Sequence, residues 1–266
     1  WYLRRYPTSF GGGCLLGFVL ICSIFAPLIS GDPNFIDVFS RMKPPSADYW
    51  FGTDMLGRDI YNRTVYGGRV SLWVGLSVAS LSTLIGLVIG LASGYWRQID
   101  TVVMRTMDGI MAIPGILFAM ALVALTEASI GNVIFAITVV ETPRVVRLVR
   151  SVVLTLREQP YVDAAVTVGS GAFKIMFRHI LPNTMAPLIV QATFICAQAI
   201  LIEAALSFLG VGTPSEVPTW GNIISEGRLV FQIAPWNILF PGIALSLTVL
   251  SMNLLGDGLR DTLDPR

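Results

Sequence analysis

Side chains able to do chemistry are scarce in this 266-residue chain. His179 is the single histidine, and no His or Cys lies close to it. Cys14, Cys22 and Cys196 show no metal-ligand spacing, and each falls inside an apolar run. There, free Cys behaves as a small hydrophobe. A Ser-His-Asp or Cys-His site therefore finds no support, and no metal site is expected. A phosphate-cradling P-loop needs Gly-x-x-x-x-Gly-Lys-Ser/Thr. The two lysines, Lys43 and Lys174, follow no Gly and precede no Ser or Thr. We expect no cofactor and no ATP hydrolysis in this chain, and we do not read it as an enzyme. Work against a gradient would draw on a partner subunit or an ion gradient.

What remains is a small set of charged and amide groups inside apolar surroundings. Glu141 lies beside Pro143 and three residues before Arg144. Asp108 lies three residues after Arg105, and Glu203 lies towards the far end of a later apolar run. Gln191 and Gln198 are seven residues apart, so they share one helix face. Ionisable groups at membrane depth are functional candidates by default. Glu141, Gln191, Gln198 and Glu203 are accordingly candidates for a translocation path, with helix–helix hydrogen bonding as the alternative. Arg144, Arg147 and Arg150 recur every third residue and suit lipid headgroups or a partner at the membrane surface.

The elements that must position these groups are membrane spans. Apolar residues make up 54% of the chain and charged residues 13%, about half the charge of a soluble domain. Disorder is excluded by this composition. A net charge of +1 gives no basic excess for nucleic acid. A span needs about 20 mostly apolar residues. Runs of that kind occupy residues 11–29, 70–96, 109–126, 129–149, 184–209 and 236–255. The fold class expected is all-α, with six transmembrane helices. Pro114 and Pro143 are expected to interrupt the third and fourth. Of the 18 Lys and Arg, twelve fall on one side of such a layout, six of them from Arg144 to Arg178. By the positive-inside rule, both termini are cytoplasmic. Arg4 and Arg5 precede the first run, which we read as a retained span and not as a cleaved signal. The chain begins at Trp1, so native residues are expected ahead of it. Residues 1–70 read as the first span with an outer segment, and residues 71–266 as the core.

The connection at residues 150–183 is long enough to have a fold of its own. Pro160 suits a first helical turn, and Tyr161–Val168 reads as helix. Gly169-Ser-Gly171 breaks it. Ala172–Ile180 restarts it with Phe173, Met176 and Phe177 on one face, and Pro182 breaks it again. Such a helix suits a groove on a partner protein or the membrane interface. In the second run, Ser82, Gly86, Gly90 and Gly94 recur every fourth residue, which lets helix backbones approach closely.

Asp163-Ala164-Ala165-x-x-x-Gly169, followed by Leu181-Pro182, resembles the Glu-Ala-Ala-x-x-x-Gly…Leu-Pro signature of bacterial ABC importer permeases. Asp163 stands for the usual Glu, and His179 stands where the signature has Ile. Phe51-Gly-Thr-Asp54-x-x-Gly57-Arg58-Asp59, Arg178-His-Ile-Leu-Pro-Asn183, Ser207-Phe-Leu-Gly210-Val-Gly212, Pro218-Thr-Trp220-Gly221 and Leu255-Gly-Asp257-Gly-Leu-Arg260-Asp261-x-Leu-Asp264-Pro265 extend the likeness. Together they are similar to the second permease subunit of dipeptide and oligopeptide importers, a group that also carries nickel, glutathione and opines. The resemblance implies the type I permease fold in a bacterial inner membrane. It implies a coupling helix built on Asp163, Ala164, Ala165, Gly169, Leu181 and Pro182, beside the apolar Phe173 and Phe177. It implies a second, homologous permease, two ATPase subunits that bind ATP and Mg, and a periplasmic binding protein. That protein would dock on outer segments carrying Asp54, Arg58, Asp59 and Trp220. The competing readings are an ion-driven secondary transporter and, less supported by the residues, an intramembrane enzyme or receptor.

Overall fold

Helix boundaries follow from caps and prolines. The computed structural model describes residues 7–263. Arg4, Arg5, Asp264, Pro265 and Arg266 lie outside the described residues. Helix α1 (Pro7–Ile24) is followed directly by the short α2 (Ala26–Ile29), with Pro27 in its first turn. An irregular segment follows, with one 3-10 turn at Val38–Ser40. Asp59 then starts α3 (Ile60–Tyr95), its carboxylate accepting the Tyr61 N–H at 2.8 Å. This side-chain cap satisfies one of the donors every helix start leaves open. The 36 residues of α3 extend about 54 Å.

The next apolar stretch is not one rod. Helices α4 (Arg97–Met111) and α5 (Gly115–Ala124) meet at an 86° bend. Pro114 disfavours helical geometry at Ile113, so the chain turns there. Helix α6 (Ile130–Arg157) starts on Ser129, whose hydroxyl accepts the Asn132 N–H at 3.1 Å. Contrary to expectation, Pro143 does not interrupt it; the helix runs through. Thr142, Pro143, Val145 and Val146 are buried, and this packing holds the helix where propensity alone would end it.

After α7 (Pro160–Thr167) and α8 (Ala172–Ile175), the residues Met176–Ile180 form one π-helical turn that leads into α9 (Leu181–Phe208). Pro182 was expected to break the chain here and does not. Its ring would clash with a carbonyl four residues back. The widened turn relieves this, and the Leu181 N–H donates to Met176 O, five residues back. Thr219 caps α10 (Trp220–Gly227), and α11 (Trp236–Leu263) completes the bundle. No strand occurs among the described residues; one isolated bridge joins Thr53 and Asp59.

Three helical stretches are long and apolar enough to cross a membrane: α3, the continuous 172–208 helix and α11. The bent α4–α5 pair makes a fourth if counted as one span. The densest packing joins α3 to α6. Gly86, Gly90 and Gly94 lie against Val145, Val149 and Val153 in that order, so the two helices run parallel. A Cβ on Gly90 or Gly94 would stand 2.6 Å from the facing valine Cβ. The four-residue spacing of small residues is thus an internal seam. Gly90→Val is expected to destabilise the protein by about 1–3 kcal/mol through overpacking. Gly109→Ala, where an added Cβ meets no atom within 4 Å, is the control. Thermal unfolding in detergent reads both, and an unshifted transition for Gly90→Val would refute the close seam.

Candidate functional site

The 150–183 connection is fixed at both ends. Arg157 donates from Nη1 to the carbonyls of Gly94 and Tyr95, 3.0 Å each, and its guanidinium lies over the Tyr95 ring. This cation satisfies carbonyls left open at the end of α3 and suits the negative end of its dipole. Helix α7 begins at Pro160, and Asp163 sits in its first turn, where a negative charge is favoured. It ends in a Schellman motif. Ser170 N–H donates to Ala165 O at 3.0 Å, and Gly169 N–H donates to Val166 O at 2.8 Å. The motif needs a left-handed residue, and Gly169 has φ +81°. Val162 anchors the unit in the core. Asp163 and Ala164 are exposed, and Ala165 is half-buried.

The apolar face of the second helix is divided. Met176 is buried, whereas Phe173 and Phe177 are 67% and 62% exposed. Val166 and Val168 are exposed as well. Trp96 supports Phe173 edge-on, ring centroids 5.9 Å apart. Tyr161 faces His179, and Asn183 Nδ2 donates to the His179 carbonyl at 2.7 Å. Leu181 is half-buried and Pro182 exposed. The result is a double turn that presents apolar side chains outward, and an exposed apolar patch of this kind suits an interaction surface.

Arg144, Arg147 and Arg150 of α6 find acids. Arg144 Nη1 donates to Glu141 Oε2 at 3.1 Å, and Arg147 Nη2 to Asp108 Oδ1 at 2.5 Å. Arg150 holds Asp100 with two contacts, Nε to Oδ1 and Nη2 to Oδ2, the latter at 2.6 Å. Each of the three has an acidic partner within the chain, and Asp108 takes Arg147 in place of Arg105. Leu148, on the same face of α6, borders an open cavity of 620 Å3 with Asn183, Pro187, Gln191, Phe194 and Arg260. Gln191 and Gln198 do not share one lining: Gln191 is in the cavity wall and Gln198 is exposed elsewhere along α9. Glu203 is fully buried; Oε1 accepts from Ser207 Oγ at 2.9 Å, and Oε2 has no partner among the described residues.

At the other end of the bundle, Asp54, Arg58, Arg63 and Glu226 form a closed ionic cluster. Arg58 Nε reaches Asp54 at 2.6 Å, and Arg58 Nη2 reaches Glu226 at 2.5 Å. Arg63 Nη1 reaches Asp54 at 2.9 Å and Glu226 at 2.5 Å. Trp220 is buried against Gly67 and Gly68, its indole N–H donating to Thr64 O at 2.9 Å. Asp54, Arg58 and Trp220 therefore bind the segments before α3 and around α10 to one another and offer almost no surface of their own. Asp59 is half-buried as the α3 cap, and burial raises its pKa despite the Tyr61 and Asn62 N–H groups. Asp37 is held below the ordinary carboxylate range by the Ser40 hydroxyl and then by the Phe39 N–H. Neither Arg63 nor Glu226 carries a local signal in the sequence: they meet across 163 residues. Among the described residues, no group of three or more His, Cys, Asp or Glu could hold a metal ion.

Residues 82–266 match the family described as binding-protein-dependent transport system inner membrane component. The chain is 52% identical to a probable peptide ABC transporter permease protein of Sinorhizobium fredii, covering 99% of this chain and 90% of that one. It is 46% identical to a dipeptide transport system permease protein of Alkalihalophilus pseudofirmus, with 99% and 88% covered. A probable D,D-dipeptide transport system permease protein of Escherichia coli is 39% identical, with 100% and 90% covered. Among solved structures, an inward-facing form of the MetNI methionine ABC transporter superposes with a TM-score of 0.55 at 19% identity, over 73% of this chain and 94% of that one. That likeness concerns the fold.

Proposed function

The chain belongs to the family of binding-protein-dependent transport system inner membrane components, and from that membership we propose that it builds half of a path for peptides across a bacterial inner membrane. The peptide class follows the names of its relatives. In this reading the chain crosses the membrane six times, through α1–α2, α3, α4–α5, α6, the 172–208 helix and α11, with both termini cytoplasmic. The basic residues favour this orientation, because they concentrate between Arg144 and Arg178. A second, homologous permease completes the path, and a periplasmic binding protein delivers substrate to the outer face.

Two separate ATPase subunits bind ATP and Mg and supply the work. The observation that carries the coupling role is the fixed double turn at residues 160–177, with Phe173 and Phe177 exposed. An apolar helix face held clear of its own core suits a groove on a partner. Asp163, Ala164, Ala165, Gly169, Leu181 and Pro182 shape that double turn. Gln191, with the α6 face beside its cavity, is the part of the path this chain contributes. Alternating access then follows from rocking of the helix bundles around that path.

The test is reconstitution of the whole complex in proteoliposomes. ATP with a loaded binding protein is expected to drive dipeptide uptake, and an ion gradient alone is not. Uptake driven by the gradient without ATP would overturn the assignment.

A further inference from the structure

Arg144 sits where an exposed charge has few places to go. Its neighbour Val145 packs on Gly86 of α3. The stretch of α3 from Ser71 to Trp96 carries no charged residue. Gly86 lies ten residues from the Trp96 end, about 15 Å of helix rise, and farther from the other end. That depth is within the hydrocarbon layer and beyond the reach of one side chain to the headgroups. Yet the Arg144 side chain is 53% exposed, and the neighbouring pair Arg147 and Asp108 are 45% and 63% exposed. Charges at such depth face water or protein and not lipid.

The two edges of the Arg144 guanidinium differ. Nη1 is bonded to Glu141, and its other nitrogens make no hydrogen bond among the described residues. Leu148, one turn further along the same face, opens onto the 620 Å3 cavity that Gln191 and Arg260 also line. Arg260, with no ion pair among the described residues, adds a second cation at the wall of this cavity. A guanidinium fixed at one edge and free at the other is matched to a carboxylate, which it can hold through two parallel N–H bonds.

We propose that the α6 face at Arg144 lines the aqueous path and that the free edge of Arg144 takes the terminal carboxylate of the passing peptide. This rests on the importer reading and names a contact within it. Glu141 is a positioning residue: it fixes the guanidinium and leaves the other edge clear.

The assembled importer, with loaded binding protein at saturation, is assayed with a dipeptide and with its C-terminal amide. Each rate is divided by the wild-type rate for the same substrate, which cancels the preference of the binding protein. Arg144→Gln is expected to lower the acid-to-amide ratio about 10-fold or more, the scale of losing a charged hydrogen-bond pair. Arg144→Lys, which keeps the charge without the fork, should fall between. Because Arg144→Gln leaves buried Glu141 unpaired, Glu141→Gln with Arg144→Gln serves as a second variant and should show the same ratio. In parallel, Arg144→Cys in a background without Cys14, Cys22 and Cys196 should react with a charged, membrane-impermeant thiosulfonate, while Trp73→Cys should not. An unchanged ratio in both Gln variants, an equal loss for both substrates, or an unreactive Cys at position 144 overturns the proposal. A wild-type complex without ATP-driven uptake of either substrate overturns the importer reading instead.

Discussion

Gly169→Val is expected to cut peptide uptake by the assembled importer about tenfold or more while ATP hydrolysis continues. The cause is backbone geometry and not crowding. Gly169 has φ +81°, and an added Cβ would meet no atom within 4 Å. A non-glycine residue in this region costs about 1–2 kcal/mol, and a β-branched one is a genuine outlier there. Every 1.4 kcal/mol is about a tenfold change in population. The chain escapes the strain by giving up the Ser170-to-Ala165 and Gly169-to-Val166 bonds. Helix α8 is then aimed differently, and Phe173 leaves its place against Trp96. The substitutions should rank by tolerance of the left-handed conformation: Asn mildest, Ala intermediate, Val worst. Uptake and ATP hydrolysis measured side by side give the ranking. Normal coupled uptake by the Val variant would sink the coupling role of this turn.

Arg63→Ala is expected to destabilise the protein by about 3–5 kcal/mol, the cost of removing one partner from a buried ionic cluster and leaving an excess negative charge. Arg63 is fully buried and bridges Asp54 and Glu226, which come from segments far apart in the chain. Arg58 still reaches the same two acids through Nε and Nη2, but one cation then faces two carboxylates. Removing Glu226 together with Arg63 should cost less than the two single losses combined, since the orphaned charge goes too. Denaturant unfolding in detergent measures the three variants. A loss below about 1 kcal/mol for Arg63→Ala would show that the cluster is solvated and of little weight.

Legibility in the sequence followed the range of the interactions. Pro160, Gly169 and Gly171 act on their immediate neighbours, so the double turn was readable from them. Pro114 behaved likewise and bends the chain. Pro143 and Pro182 obey the same local rules, yet both sit in continuous helix. Burial of α6 on the α3 seam holds the first, and the π-helical turn at Met176–Ile180 absorbs the second. The regular spacing of Arg144, Arg147 and Arg150 was visible, but two of their acids were not, because Asp108 and Asp100 lie 39 and 50 residues away. Asp54, Arg58 and Trp220 stood out by motif, and only the tertiary structure shows that they face inward.

The π-helical turn has a mechanical consequence. By carrying the chain past Pro182 without a hinge, it makes residues 172–208 one rod of 37 residues, about 55 Å long. A rod of that length is a lever. Pivoted at its Phe208 end, a tilt of about 5° sweeps its Ala172 end through about 5 Å, roughly one helical turn. In the importer reading, a hinge at Pro182 would dissipate a stroke applied at Ala172 after the first ten residues, and the continuous helix would carry it along the full length.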